Sequence, residues 1–416
     1  MGVDDISALP VIIVGGGASG LIAAILIGRE GIPVKLLERN DKVGRKILAS
    51  GNGRCNITNR NITPDRFHSQ NPDFVSAVLK GYSSETVEDF FDSIGLPLIE
   101  EKEGKMFPMS LQASSVLKLL LYEMECAGVE IVYGCGVHSI RKKGEHFVLE
   151  TTQGRVEGAA VLLSAGSPAA PQLGGSESGM SLAASLGHSM VSSHPSLVQL
   201  TSDEQWVRRA SGVKVYGNVK LYSNGEYIAE RNGDLLFTNY GISGLAILDI
   251  SRSASLHLAE HAWCELQLDL FPQRHKEKLT QFLLHRIRKE SRKPLSLWLS
   301  GVINEKLIPV IIEQSGCKVE NEGGLDRKAI GRLVYALKNL KLPISDTRGF
   351  KGAEVAMGGV DTREIDAETM ASLKVESLYF AGEVVDVDGD RGGFNFHFAW
   401  VSGMRAAKVI IAQKLM

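Results

Sequence analysis

The chain has 416 residues, a formal charge of −2 and 44% apolar residues. That length exceeds one ordinary core and sets a prior of two or three domains. The near-balanced charge argues against a nucleic-acid or lipid-surface protein, and no apolar run approaches the ~20 residues of a membrane span.

The first residues, MGVDDISALP, carry acids and lack the charge pattern of a secretory signal. Val11–Val14 then reads as a buried strand, and Gly15, Gly17 and Gly20 follow in the spacing G-x-G-x-x-G. Leu21–Gly28 reads as a helix and Val34–Leu37 as a second strand, ending on Glu38. Strand, tight turn, helix and strand with a terminal acid form a dinucleotide-binding unit. The first glycine turns the chain, the second lets a pyrophosphate approach the backbone, and the third lets helix and strand pack closely. The helix start offers unpaired N–H groups and the positive end of its dipole. Glu38 stands where a carboxylate accepts hydrogen bonds from ribose hydroxyls, so FAD or NAD fits better than NADP. This motif alone does not choose between those two.

Arg39 to Asn59 reads as a long polar loop with Arg45, Lys46 and Arg54 among its glycines. Ser50-Gly51-Asn52-Gly53 offers backbone N–H groups to a polar ligand, in the manner of an anion-binding nest. Cys55 within it has two readings: a small packing residue, or a thiol beside the redox centre activated by Arg54. Ile62–Ile99 reads as mostly helical, Gly104–Met109 as a turn or short hairpin, and Ser114–Ala127 as an amphipathic helix capped by Gly128. Val129–Tyr133 is a strand, Ser139–Arg141 and Phe147–Thr151 form a hairpin, and Val156–Ser164 is a further strand ending at Ala165-Gly166. Ser176–Met190 is read as a helix.

From Leu197 to Leu270 the pattern alternates as in short antiparallel strands, with an Asn224-Gly225 hairpin signal and one helix at Leu245–Ser253. Arg274–Leu340 turns to helical spacing. A strand at Leu378–Ala381 then stops at Gly382-Glu383, and Gly392-Gly393-Phe394-Asn395 opens an apolar helix, Phe396–Ile411. A helix start there stabilises the negative charge of a reduced flavin, a need NAD does not have, which decides for FAD.

Five cysteines, Cys55, Cys126, Cys135, Cys264 and Cys317, are odd in number and scattered, with no C-x-x-C pair. They predict a reducing, cytoplasmic setting and no dithiol chemistry. No His/Cys cluster has metal-ligand spacing, so no metal is expected.

GGGASG, GNGRCNITN and YFAGEVVDVDGDRGGFNFHFAWVSG together resemble the bacterial BaiN/RdsA-type NAD(P)/FAD-dependent oxidoreductases, over nearly the whole chain. The resemblance implies an α/β fold: a discontinuous Rossmann-like FAD-binding domain with an inserted β-barrel and a small helical subdomain. The expected divisions are 1–193 and 344–416 for the FAD domain, 194–272 for the barrel and 273–343 for the helices. It implies FAD contacts at Gly15, Gly17 and Ser19 in the first turn, and at Glu38, Arg39 and Lys46 beyond the second strand. Ser50, Gly51, Arg54 and Asn56 follow in the loop, then Val137, Ala165 and Gly166. The last are Gly382, Glu383, Gly393, Phe394 and Asn395. Ser167–Gln172 and Phe396-His397-Phe398 depart from the family's pattern, and both are expected to border the flavin or its substrate pocket.

The expected function is a flavoprotein oxidoreductase acting on a small-molecule substrate. Hydride passes through non-covalent FAD, from NAD(P)H or a small amine or alcohol to an acceptor. No second G-x-G-x-x-G follows a strand, so any nicotinamide binds transiently at the flavin face. Cys55 and His397 are the only thiol and acid–base candidates. Two alternatives stand beside this: a flavin-dependent RNA-modifying enzyme, which the near-neutral charge opposes, and an FAD-binding regulatory protein.

Overall fold

The computed structural model describes residues 9–289, 293–317 and 325–415, and the reading of the first eight residues lies outside them. The chain forms two compact units. One runs up to Ser193 and resumes at Val355; the other is His194–Glu354.

The first unit is built on a five-stranded sheet. Its order is Leu378–Phe380, Ala160–Leu163, β1 (Val11–Val14), β2 (Val34–Leu37), then Glu130–Val132. Every pairing is parallel, with Ile12 facing Val161 on one side and Lys35 on the other. Strands covered on both faces carry unbroken apolar runs, which is why VIIV and AVLL stand out in the sequence. The crossover from β1 is α1 (Ala18–Arg29). The C-terminal helix, Phe394–Lys414, packs on α1 so closely that a Cβ on Gly403 would lie 2.5 Å from the Ser19 carbonyl oxygen. Both helices bury Ile22, Ala23, Trp400 and Ala406 completely.

Three expectations for this unit change. Val156–Ser164 is two strands, because the chain bends at Ala159. Gly154–Gly158 completes an antiparallel sheet with His146–Thr151 and Val137–Lys143, and Ala160–Leu163 joins the parallel one. Gly158 lies directly on Ile12, where a Cβ would come within 2.3 Å of Cγ1, and Ala159 N–H donates to the Pro10 carbonyl at 3.0 Å. Ile62–Ile99 is two shorter helices, Pro72–Leu79 and Ser84–Ser93, flanked by strands Phe67–His68 and Leu98–Glu100. A capping box of Ser83 and Thr86 starts the second helix afresh. Lys105–Pro108 is the middle strand of a small sheet, between Thr58–Asn59 and Leu98–Glu100.

The second unit holds a seven-stranded sheet in which every pairing is antiparallel. Its edge strands, Leu340–Ile344 and Asp346–Thr347, are separated in sequence only by Ser345, so the sheet curls round until its two edges meet. Helices Lys276–Lys289, Leu295–Ser300, Ile308–Ser315 and Arg327–Lys338 pack with it. Leu266 and Leu268 of the sheet and Leu333 and Leu337 of the helices belong to one hydrophobic core. The barrel and helical parts expected separately therefore share an interior. Leu340–Ile344 pairs with Cys264–Asp269, and Asp346–Thr347 with Leu200–Thr201. Those ladders carry the second unit past the expected 343/344 division, and the compact unit ends at Glu354.

Candidate functional site

Every sequence-derived site residue lies in the first unit. At the end of β1 the chain turns on Gly15, whose φ of +108° is a conformation L side chains rarely adopt. A Cβ on Gly15 would stand 2.6 Å from the Ser164 carbonyl oxygen and 2.7 Å from the Ala165 Cα. Gly17 is the N-cap of α1 with no side chain closing the helix, and a Cβ there would meet nothing within 4 Å. Gly20 is the opposite case: a Cβ would meet the Gly15 carbonyl oxygen at 2.1 Å. The turn therefore presents free N–H groups to open space while helix and strand are locked together.

Glu38 is 8% exposed. Gly16 N–H donates to Oε2 at 2.9 Å; Asn40 donates to Oε1 from its backbone at 2.8 Å and from Nδ2 at 2.6 Å. Val137 opens the antiparallel sheet two residues after Cys135, whose N–H donates to the Glu38 carbonyl. Arg39 donates to the carbonyls of Gly174 and Gly175 at 2.8 and 3.3 Å. Further along, Lys46 Nζ pairs with Glu383 Oε2 at 2.6 Å, and Ser167 Oγ donates to the same oxygen at 3.0 Å. Lys46, Glu383 and the segment after Ala165-Gly166 thus meet at one place. Ser19 Oγ donates to the Ala381 carbonyl at 3.4 Å, and Gly382 N–H to Ser402 Oγ at 2.9 Å.

The long loop is less open than expected. Arg45–Ala49 is a short helix, and Ser50–Gly53 a single tight turn with Gly51 and Asn52 in left-handed conformation. Its far end is stitched to the start of the C-terminal helix. Asn59 Nδ2 donates to the Gly392 carbonyl at 2.8 Å, Trp400 Nε1 to the Ile57 carbonyl at 3.0 Å, and Thr58 Oγ1 lies 2.8 Å from His397 Nδ1. Gly393, at φ +102°, caps the helix with no side-chain hydrogen bond, and a Cβ there would strike the Thr58 carbonyl oxygen at 2.4 Å. Asn56 Oδ1 would be 3.0 Å from that same Cβ, and it is a buried acceptor without a partner. Phe394 is buried under the Arg66 guanidinium, which lies 4.3 Å from its ring centre. The Asn395 side chain closes the preceding turn, through Gly389 N–H and the Gly389 carbonyl at 2.8 and 2.7 Å.

The two acid–base candidates are placed differently from their sharper readings. Cys55 is fully buried, and burial pushes its thiol up to about 12 against a hydrogen bond from Ser50. Arg54 does not activate it: that guanidinium donates to both oxygens of Glu101 at 3.1 Å and lies 4.5 Å from the Phe107 ring centre. No thiolate forms near neutral pH under those conditions, and the packing reading of Cys55 is the one its surroundings support. His397 is also fully buried; desolvation pushes its imidazole down to about 4, against the Tyr82 backbone carbonyl. It is neutral, and its contact with Thr58 makes it a joint between loop and helix.

Sequence reading missed a polar cluster beside the helix start. Arg66 Nε donates to Asp390 Oδ2 at 2.7 Å, and His68 Nε2 lies 3.1 Å from Asp390 Oδ1. Burial pushes the Asp390 carboxyl up, but hydrogen bonds from His68 and Arg66 outweigh it and hold the group below its usual range. The only signal was the acid in DGDRGG; its partners lie over three hundred residues earlier.

Residues 9–409 match the HI0933-like protein Rossmann domain family. The chain belongs to that family. It is an oxidoreductase of the flavin-dependent kind, with FAD as its cofactor. It is 34% identical to a 3-dehydro-bile acid delta(4,6)-reductase of Clostridium scindens, over 95% of this chain and 97% of that one. It is 30% identical to a ribosomal RNA dihydrouridine synthase of Haemophilus influenzae, over 97% and 98%. Its fold is similar to 3-ketosteroid delta1-dehydrogenase from Sterolibacterium denitrificans, with TM-score 0.51, 13% identity and coverage of 97% and 99%. The family's cofactor suits the residues present: an uncapped helix start beside open space at Gly17, a buried carboxylate at Glu38 and an orphaned acceptor at Asn56. Among the described residues no helix is long and apolar enough to cross a membrane, and no cluster of His, Cys, Asp and Glu could hold a metal ion.

Proposed function

We propose that this protein is an FAD-dependent reductase that draws electrons from NAD(P)H and saturates a carbon–carbon double bond conjugated to a carbonyl in a small molecule. The observation that carries the reading is the uncapped helix start at Gly393, set against the buried, unpartnered Asn56 Oδ1. That pairing of helix start and acceptor suits a ring system that gains negative charge and carries an N–H. A delta(4,6)-reductase and a dihydrouridine synthase, by their names, both saturate a ring double bond. In a 3-keto steroid and in uracil that bond is polarised by a carbonyl.

FAD supplies the two-electron transfer when bound. The chain's residues would bind and orient it: α1 and its glycine turn would hold the pyrophosphate, Glu38 the adenosine ribose, and Lys46 with Glu383 the stretch between adenosine and flavin ring. Thr58, Asn59 and Trp400 hold the loop against the helix start, so that Asn56 stays aimed at Gly393. Substitution of this scaffold is expected to change the flavin's environment before it changes substrate affinity.

A second reading, action on RNA, is favoured by one observation. Residues 194–354 carry 23 Lys and Arg against 18 Asp and Glu, whereas the rest of the chain carries 23 against 30. A net-positive inserted unit on a net-negative remainder is a charge asymmetry of the kind that gathers polyanions. One experiment separates the two. The flavin is bleached anaerobically with NADH or NADPH, then mixed with a 3-keto-4-ene steroid or with unmodified ribosomal RNA. Rapid recolouring by the steroid, with a product two hydrogens heavier, supports the first reading; recolouring by RNA alone overturns it in favour of the second.

A further inference from the structure

Glu38 is the only acid so far given a part at the adenosine end, yet its carboxylate is not free to choose its orientation. A carboxylate has about four acceptor positions. Three are filled, one on Oε2 by Gly16 N–H and two on Oε1 by the backbone N–H and the Nδ2 of Asn40. What remains is one position on Oε2, pointing in a direction set by the other three. The Asn40 amide is itself fixed from the far side: its Oδ1 accepts from Arg45 Nη1 at 3.0 Å. Because the amide donates to Glu38 and accepts from Arg45, its orientation is settled by its neighbours. Arg45 is braced in turn, with Nη2 donating to the Gln172 carbonyl at 2.9 Å.

Gln172 belongs to a closed segment. Ser176 N–H donates to the Ser167 carbonyl at 2.8 Å, and Ala170 within it takes a left-handed φ of +53°. Arg39 ties the same segment at Gly174 and Gly175. Two guanidiniums just beyond β2 therefore hold one backbone loop, and one of them passes that anchorage through Asn40 to the ribose-facing carboxylate.

We infer that Asn40 is a positioning residue for Glu38, and that Arg45, anchored on the Gln172 carbonyl, is the positioning residue for Asn40. This rests on the reading of Glu38 as the adenosine-ribose acceptor. A hydrogen bond to a charged group that survives only in one geometry is worth about tenfold or more in affinity. The effect belongs to the adenosine end, so any ligand with that ribose feels it.

The test is a double-substitution cycle on the apoprotein, titrated with FAD by quenching of flavin fluorescence and with ADP by displacement of FAD. Asn40→Ala is expected to raise the Kd for FAD and for ADP by a similar factor, about tenfold. In a Glu38→Ala background it is expected to add less than about twofold. Arg45→Met, which leaves Asn40 in place, is expected to raise the FAD dissociation rate several-fold and to lose that effect with Glu38→Ala; it serves equally if Asn40→Ala does not fold. An equal loss with and without Glu38, or an unchanged Kd in the single variants, overturns the positioning role and leaves the ribose reading intact. An unchanged Kd in Glu38→Ala alone overturns both.

Discussion

His397 shows how a residue that looks catalytic in sequence is turned into a structural one by burial. An imidazole with no access to water and a carbonyl beside it stays neutral, and its pKa of about 4 compares with 6.5 for the free side chain. The unfolded chain therefore takes up a proton between those values while the folded chain does not. Above about pH 6.5 the group has no effect on stability. Stability falls as pH drops from 6.5 toward 4, by an amount on the order of 3 kcal/mol if His397 acts alone. Replacing it with Gln, which keeps a polar contact to Thr58 without titrating, is expected to flatten that acid limb in urea melts taken from pH 4 to 7. An acid limb unchanged in the variant would assign it to other groups. Cys55 makes the complementary case. Cys55→Ser is expected to leave flavin reduction and reoxidation within about twofold of the parent in stopped-flow traces, while costing about 1–2 kcal/mol of stability for a buried hydroxyl. A tenfold loss of reoxidation rate with unchanged melting would restore a chemical role for the thiol.

At the scale of elements, the decisive contact is helix on strand and helix on helix with no side chain between. The space at Gly20 is closed by backbone: a Cβ would stand 2.1 Å from the Gly15 carbonyl oxygen. Gly20→Ala is expected to push α1 off β1, lowering stability by about 1–3 kcal/mol and reducing FAD content together, read by melting and by the visible spectrum. Retained FAD at parental stability would mean the helix can shift without disturbing the turn. These elements were legible in the sequence because strand, turn, helix and second strand occupy one short stretch, and the strand–turn–helix near the C-terminus another. What joins them was not legible. Lys46 and Glu383 are 337 residues apart, Thr58 and His397 339, and Arg66 and Asp390 324. No local periodicity carries such pairings. The misread strand at Val156–Ser164 failed for a related reason: its bend is imposed by Ile12, which lies on another strand.

On the scale of the whole molecule, the two ends of the chain fold into one unit, and the residues between them form a second unit with its own core. The family relationship covers both units, so the inserted one is part of the enzyme's ordinary design. Its positive balance gives a further prediction. For a neutral enone substrate, kcat/KM is expected to stay level between 50 and 200 mM salt, since no ion pairs form on binding. A steep fall over that range would mark a polyanionic substrate and count for RNA. Both outcomes presuppose the central claim, that residues from the two ends of the chain bind one FAD. The most direct measurement is the flavin-to-protein ratio in the visible spectrum of purified parent and Glu38→Ala protein. The account predicts one FAD per parent chain and a largely colourless variant that still melts cooperatively; a colourless parent, or a variant as yellow as the parent, would contradict it.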